Sequence, residues 1–433
     1  MNIKQRVISL ITEVDNGKYS NIALNDYFKE NRLEKKERGF VTEVFYGVIR
    51  NKIFIDEMIN KRTKEIKKDW IRNLLRISVY QITFMKSDVR GVVWEATELT
   101  KKKFSVPVGK FVNGVLRSYA REMDEEIARL KEEGRLDILY SYPLWFFEKI
   151  KADYGDNAEN VLKSLKKIPY MAVRVNKLNY GELKFETLLK KMDIKIVKKV
   201  DSVYYLDSGI ILYTDEFKKG KIIAQDGSSY LAVKVLNPKA GETVLDTCAA
   251  PGSKTVLIAE YMENQGEIMA LDIYPHKIKL IEENCEKMGI DIVKAVKMDA
   301  RKLKEQGKKF DKILVDAPCS GYGVIRKKPE ILYSKGAENI TELSKLQYEI
   351  LESAAQVLKD NGELVYSTCT ITSEENTRNV KKFLENNPQF EAVRFDVPDN
   401  VNGDFDEAGG FTINFKEEIM DNFYIMKFRK KGE

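Results

Sequence analysis

From residue 1 to about 136, apolar residues recur with a helical period. Ile3, Val7, Leu10, Ile11 and Val14 mark one face, and Ile71, Leu74, Leu75, Ile82 and Met85 mark another. Pro107 is the only proline in this stretch, so little interrupts the pattern. The spacing predicts an all-α domain over 1–136. The charged run REMDEEIARLKEEGR closes it as a solvated helix leading into a linker.

Between 137 and 228 the pattern changes. Pro143 opens an aromatic helix, LWFFEKI, and Pro169 ends a lysine-bearing one. MAVRV, a helix around 181–191, IKIVKKV, VYYL and GIILY then alternate as in a small α+β helix-on-sheet domain of ferredoxin or RRM type. From 229 to 433 apolar runs and helical stretches alternate: TVLD, EIMALD, DKILVDA and GELVYS are each followed by a helix, with FEAVRF and FYIMKFRK as late strands. That order predicts an α/β domain with a parallel, doubly wound sheet of Rossmann-like type. Ligands of such sheets sit beyond the carboxyl ends of the strands.

Composition adds limits. With 433 residues, 43% apolar and 32% charged, the chain is an ordinary multidomain globular protein. The four cysteines, Cys248, Cys285, Cys319 and Cys369, show no CxxC spacing, which argues against a zinc ribbon or disulfide scaffold and fits a reducing cytoplasm. The apolar stretch near the N-terminus is too short for a signal-peptide core, and no run approaches a membrane span. A cytoplasmic monomer without membrane or metal is expected. The net charge of +6 is uneven: residues 1–136 carry +8, residues 137–228 carry +3 and residues 229–433 carry −5. Salt-sensitive binding of an anionic partner is therefore expected to follow mostly from residues 1–228.

Candidate chemistry clusters at the predicted strand ends. Asp246 ends the first strand, and the small-residue loop Cys248, Ala249, Ala250, Pro251, Gly252, Ser253 and Lys254 leads into a helix whose backbone amides can approach a ligand. Asp272 ends the second strand and is placed to bind two ribose hydroxyls. Loop and acid make a nucleoside-cofactor layout, although a tight packing turn would read similarly. Asp299, in KMDAR, follows a short strand and is either an adenine contact or a helix N-cap.

Two further loops bring thiols to the same edge. ILVDAPCSGYGV carries Asp316 and Cys319, and LVYSTCTITSEEN carries Cys369, whereas Cys285 reads as an ordinary helix residue. Carbon 5 of cytosine is a poor nucleophile. A thiolate that adds to carbon 6 converts the ring to an enamine able to attack a methyl donor, and loss of the carbon-5 proton then lets the thiolate leave. A carboxyl group bonded to ring N3 and the exocyclic amine stabilises the charge that develops, a role for Asp316. An ordinary thiol is only a few per cent ionised at neutral pH, so the site must supply a base or positive potential.

The strings CAAPGSKT, DAPCSG and STCT with SEEN resemble motifs of the RNA 5-methylcytosine methyltransferases related to the Sun proteins. ERGFVTEVFYGVIRNK, LLRISVYQITFMK and GKFVNGVLR are similar to the NusB-like domain fused to bacterial 16S ribosomal RNA methyltransferases of the Sun/Fmu group. The resemblance spans essentially the whole chain. It implies an all-α NusB-like RNA-binding domain, a small α+β RNA-binding domain and a class I methyltransferase domain. It implies S-adenosyl-L-methionine as cofactor and a 16S rRNA cytosine of the position-967 type, free or in an early assembly intermediate, as substrate. By the same resemblance Cys248 through Lys254 hold the cofactor with Asp272, Asp299 and Asp316, Cys369 is the nucleophile and Cys319 assists release.

Two departures stand out: Ser253 in place of the family's usual glycine, and Leu332 and Tyr333 after Pro329 and Glu330 where many relatives have lysine and tryptophan. Weaker expectations concern Arg326, Lys327 and Lys328 as phosphate contacts, Lys101, Lys102 and Lys103 as an RNA-facing run, and Tyr322 as a base-stacking ring. Each competes with a solvated or packed loop. His276, the only histidine, reads as a surface helix residue. Competing functions are a methyltransferase acting on transfer RNA or another ribosomal cytosine, an exocyclic-amine methylase, which DAPCS does not favour, and an RNA-binding module with an inactive catalytic domain.

Overall fold

The computed structural model describes residues 3–31, 33–63, 65–334 and 336–432. It forms two compact units, Met1–Lys166 with Lys327–Gly336, and Lys167–Arg326 with Ala337–Glu433. The first is helical: α1 (Ile3–Asp15), α2 (Ser20–Glu30), α3 (Lys35–Arg50), α4 (Lys52–Asn60), α5 (Asp69–Thr83), α6 (Val89–Lys103), α7 (Val106–Glu132), α8 (Leu136–Leu139), α9 (Leu144–Tyr154) and α10 (Ala158–Leu165). Helix α5 is enclosed, its residues buried from Asn73 through Thr83. Several of the polar groups this encloses are bonded to near neighbours, though the buried Gln81 Oε1 finds no partner among the described residues. Ser78 and Thr83 donate to carbonyls one turn back, and Arg76 forks onto Asp56 at 2.8 and 2.6 Å while reaching Asp15 at 2.9 Å.

The helical unit runs past residue 136, because Pro143 starts α9 and the buried Tyr142 and Phe146 stack on each other. Tyr142 also donates to the Leu162 carbonyl at 2.8 Å, tying α10 in. The segment 327–336 packs here as well. Helix α2 has no side-chain cap of its own, and the Glu330 carboxylate accepts from its first amide, Ser20, at 2.9 Å. An acid at a helix N-terminus satisfies an orphan donor and opposes the helix dipole. Tyr333 donates to the Ile49 carbonyl at 2.8 Å.

The second unit begins with β1 (Met171–Val175), α11 (Glu182–Lys191), β2 (Ile196–Val200), β3 (Val203–Leu206), α12 (Asp215–Lys218) and β4 (Ile222–Ala224). The four strands form an antiparallel sheet in the order β2-β3-β1-β4, with Phe185 and Leu189 of α11 in its core. GIILY is not a strand: residues 209–213 form a 3-10 turn capped by the Ser208 side chain, and of its residues only Ile211 is buried. A strand needs alternate burial, and the fourth strand is the later Ile222–Ala224.

There follow α13 (Gly227–Leu236), β5 (Thr243–Asp246), α14 (Ser253–Tyr261), β6 (Glu267–Asp272), α15 (Pro275–Met288), β7 (Val293–Lys297), β8 (Phe310–Asp316), then α16 (Ile331–Ser334), which belongs to the helical unit, and α17 (Ala337–Gln356), β9 (Leu358–Thr368), α18 (Thr377–Asn386), β10 (Phe390–Ala392), β11 (Gly403–Phe405), β12 (Phe411–Ile413) and β13 (Phe423–Lys430). The sheet order is β11-β12-β13-β9-β8-β5-β6-β7, with β10 also on β13. Pairs among β5 to β9 are parallel, as the alternating pattern predicts, whereas β13 returns antiparallel to β9. Helices α13, α14 and α15 cover one face and α17 and α18 the other. The chain winds outward from β5 through β6 to β7 and then resumes on the opposite side at β8. The switch point therefore lies between β5 and β8, where a ligand crevice is expected.

Candidate active site

The loop after β5 is built for close backbone approach. Gly252 adopts φ +105°, and a Cβ there would stand 3.3 Å from the Ile281 backbone, so only glycine fits without strain. Ser253 opens α14 on its C-terminal side, and the departure from glycine there leaves the turn intact. Asp246, at the end of β5, is fully buried and accepts from Thr255 at 2.7 Å through one oxygen, while its other oxygen has no hydrogen-bond partner among the described residues. Burial pushes its carboxyl up to about 7. Burial likewise raises the Cys248 thiol to about 12, so Cys248 is inert as a nucleophile.

Asp272 ends β6, almost buried, and accepts from the Tyr274 amide at 3.1 Å. Its backbone carbonyl receives the Met298 amide at 3.1 Å, which brings the start of the Asp299 loop alongside. Asp299 caps the following turn and is gripped by Arg301 at 2.6 Å, which holds its carboxyl below the usual range. The glycine-floored loop, the buried Asp246 oxygen and Asp272 lie at the ends of the adjacent strands β5 and β6.

The two thiols meet. Cys319 Sγ and Cys369 Sγ are 3.0 Å apart, and the Cys369 amide points at the Cys319 sulfur at 3.3 Å. The hydrogen bond with Cys369, then burial, holds the Cys319 thiol well above its ordinary value. Asp316, at the end of β8, accepts from Lys254 Nζ at 2.7 Å and from Ser367 Oγ at 2.9 Å. Burial opposes the Lys254 charge, but Asp316 keeps this ammonium above its usual range, and a Cys369 thiolate adds to the same effect. That coupling is mutual, so Lys254 supplies the positive potential a thiolate at Cys369 requires. A cavity of about 230 Å³ opens onto Ser253, Lys254, Asp316, Cys369, Asp421 and Phe423, room enough for a single pyrimidine ring.

What holds the thiol loops together is Glu375, from the SEEN string, to which the sequence assigned no role. Its buried carboxylate accepts from the Ser320 amide at 2.8 Å, Ser320 Oγ at 2.5 Å, Gln347 Nε2 at 2.8 Å and Thr372 Oγ1 at 2.6 Å. Ser320 follows Cys319 and Thr372 lies three residues beyond Cys369, so one carboxylate ties both loops. Lys254 was expected only as part of the cofactor loop, and Asp246 only as a strand end. An acid six residues beyond a thiol in one string is the only signal that pointed to Glu375.

Several weaker expectations are corrected. Arg326 is fully buried and donates to the Glu418 and Ile419 carbonyls at 2.9 and 3.3 Å, so it is no phosphate contact on a solvated loop. Tyr322 is also fully buried and is a packing residue, not a stacking platform. Lys327 and Lys328 are half-buried, with Lys328 Nζ 5.7 Å from the Tyr19 ring. The 101–103 run divides: Lys101 pairs with Glu98 at 2.8 Å, Lys103 lies over Trp70, and Lys102 is exposed. His276 sits exposed on α15, and Cys285 is buried in the same helix with its thiol raised to about 11 by burial. Among the described residues no helix is long and apolar enough to cross a membrane.

Comparison with known proteins agrees with this architecture along the whole chain. The family model for the 16S rRNA methyltransferase RsmB/F matches residues 233–429, the NusB family matches 1–121, and the ferredoxin-like domain of RsmF/B-like methyltransferases matches 142–214. The chain is 37% identical over 444 residues to the probable ribosomal RNA small subunit methyltransferase B of Bacillus subtilis (strain 168), covering 98% of this chain and 97% of the relative. It is 30% identical to the ribosomal RNA small subunit methyltransferase B of Vibrio cholerae, covering 93% and 92%. The crystal structure of PH0851 superposes with a TM-score of 0.84 at 30% identity over 99% of both chains. With its three domains matched in order and full-length relatives at this identity, the chain belongs to the ribosomal RNA small subunit methyltransferase B family.

Proposed function

We propose that the protein transfers a methyl group from S-adenosyl-L-methionine to carbon 5 of one cytosine in 16S rRNA, through a covalent bond between Cys369 and carbon 6. The observation that carries this reading is the 3.0 Å approach of Cys319 and Cys369 beside the Lys254–Asp316 pair, at the switch point of the sheet. The cofactor, held by the loop from Cys248 to Lys254 with Asp272 and Asp299, supplies an electrophilic methyl group when bound.

The protein's own groups divide the work. Lys254 favours the Cys369 thiolate, which adds to carbon 6 and makes carbon 5 nucleophilic. Asp316, bonded to ring N3 and the exocyclic amine, stabilises the charge that develops on the ring. Bonding to carbon 6 takes the Cys369 sulfur out of its hydrogen bond with Cys319, the leading cause that keeps the Cys319 thiol protonated. Cys319 then releases its own proton to solvent and, as thiolate, takes the carbon-5 proton, and elimination returns Cys369 as thiolate. The target base must leave its stack to enter the cavity, at a cost of a few kcal/mol that is smaller in an unpaired loop.

The test is incubation of the purified chain with 16S rRNA and methyl-labelled S-adenosyl-L-methionine, followed by nuclease digestion and bisulfite sequencing. Label in 5-methylcytosine at a single loop cytosine is expected. Label on an exocyclic amine, or label on transfer RNA with none on 16S rRNA, would move the chain to a competing reading.

A further inference from the structure

Of the three tryptophans, Trp94 alone has no ring or core contact among the described residues. Trp70 packs edge-on to Phe104 and Trp145 edge-on to Phe146, but Trp94 lies outside the helical core and is 67% exposed. An indole left in water on a packed helix forgoes roughly 2 kcal/mol of burial, a loss expected at binding surfaces.

Its surroundings are basic. On α6 the exposed stripe reads Arg90, Trp94, Glu98 and Lys102, at successive turns, with the Glu98 charge offset by Lys101 at 2.8 Å. Helix α7 runs back beside it. Asn113 donates to Thr97 at 3.1 Å, and a Cβ on Gly109 would strike Lys101, so the helices are antiparallel in a defined register. That register carries Arg117 level with the Trp94 turn and leaves Lys110 exposed on the same hairpin. Gly91, one turn before Trp94, and Gly114 on α7 add no side chain to this face, and around Gly114 there is open space.

We propose that Trp94, on a helical hairpin that also exposes Arg90, Lys102, Lys110 and Arg117, is a stacking platform for an unpaired base of the RNA substrate. The site lies wholly within the helical unit and rests on the reading of the chain as an RNA methyltransferase. Charge complementarity selects the occupant. Residues 1–136 carry +8, and an exposed aromatic among cations suits a base flanked by phosphates. A ring stacks on any base, so the platform reads strandedness and not sequence.

The full chain and its Trp94→Ala and Trp94→Phe variants are to be titrated with an RNA hairpin bearing an unpaired loop and with a blunt, fully paired RNA duplex of the same length. Trp94→Ala is expected to weaken hairpin binding on the order of tenfold and to leave duplex binding unchanged, with Trp94→Phe close to the parent. Under turnover with labelled methyl donor, KM for the hairpin should rise while kcat stays the same. Arg117→Gln should instead lower the salt dependence for both RNAs by about one unit of slope. Undiminished hairpin binding by Trp94→Ala overturns the platform. Equal losses on hairpin and duplex also overturn it. If the parent chain binds neither RNA and transfers no methyl, the RNA methyltransferase reading falls with it, an outcome distinct from a parent that methylates and a Trp94→Ala variant that matches it.

Discussion

Cys369 directs its backbone amide at the sulfur of Cys319, 3.3 Å away, although the two residues stand fifty positions apart in the chain. Two loops from different strands thus present their thiols to one point, in unequal settings: Cys319 held protonated by its hydrogen bond with Cys369, and Cys369 within the field of Lys254.

This inequality predicts different outcomes for the two thiols. Cys369→Ala should abolish methyl transfer without forming any adduct. Cys319→Ala should stall after the carbon 6 bond and accumulate a protein–RNA species that survives a denaturing gel. The opposite pattern would show that the roles are exchanged.

Lys254→Gln should slow alkylation of Cys369 by iodoacetamide at neutral pH by about tenfold, since a difference of 1.36 kcal/mol in thiolate stabilisation corresponds to one decade. Peptide mass spectrometry resolves Cys369 from Cys319. A rate equal to the parent's would remove Lys254 as the source of the positive potential.

For Glu375→Gln the carboxylate loses one acceptor among four bonded donors. A loss of about 2 kcal/mol is expected, read as a lowered thermal midpoint, together with a fall in kcat as the thiol loops part. Binding of the methyl donor, measured by calorimetry, should be nearly unaffected, because none of the Glu375 partners lies in the Cys248–Lys254 loop.

Asp246 gives a pH signature. Its carboxyl is near 7 in the folded chain and near 4 when unfolded, so between those values the folded state holds the extra proton. Stability attributable to this group therefore falls as pH rises from about 4 to about 7. The Asp246→Asn variant, always neutral, should lose less stability across that window than the parent, as followed by denaturant unfolding without cofactor. Parallel pH curves would argue that Asp246 is ionised in the folded chain.

Arg326→Lys tests the corrected reading of the loop after Cys319. With its guanidinium holding the Glu418 and Ile419 carbonyls, the change should cost about 1–3 kcal/mol of stability and leave the salt dependence of RNA binding as it was.

The strands TVLD, EIMALD and FYIMKFRK were legible because continuous apolar runs bounded by helix signals have few other uses. GIILY misled for a related reason: a short apolar run fits a strand or a turn equally, and the Ser208 cap, a local hydrogen bond, decided it. Motif strings located the thiols and Asp316, yet spacing along the chain says nothing about the 3.0 Å contact or about the unequal fields at the two sulfurs. The roles of Glu375 and Lys254 depend on neighbours contributed by distant strands, for example Ser320 and Asp316. Arg326 shows the limit most plainly. A basic triplet on a loop looks solvated, and only the fold reveals that its first member faces inward.

The segment 327–336 gives the chain an unusual continuity. The polypeptide leaves the catalytic unit after Arg326, contributes Glu330 to the start of α2 and Tyr333 to the carbonyl of Ile49, and re-enters the catalytic unit at Ala337. The helical unit is therefore not a detachable leader. A gene shortened to begin at Lys167 would strand Glu330 and Tyr333 without partners, only a few residues downstream of the Cys319 loop. Grafting this catalytic unit onto another RNA-binding head would require rebuilding that returning stretch along with the junction near Lys167.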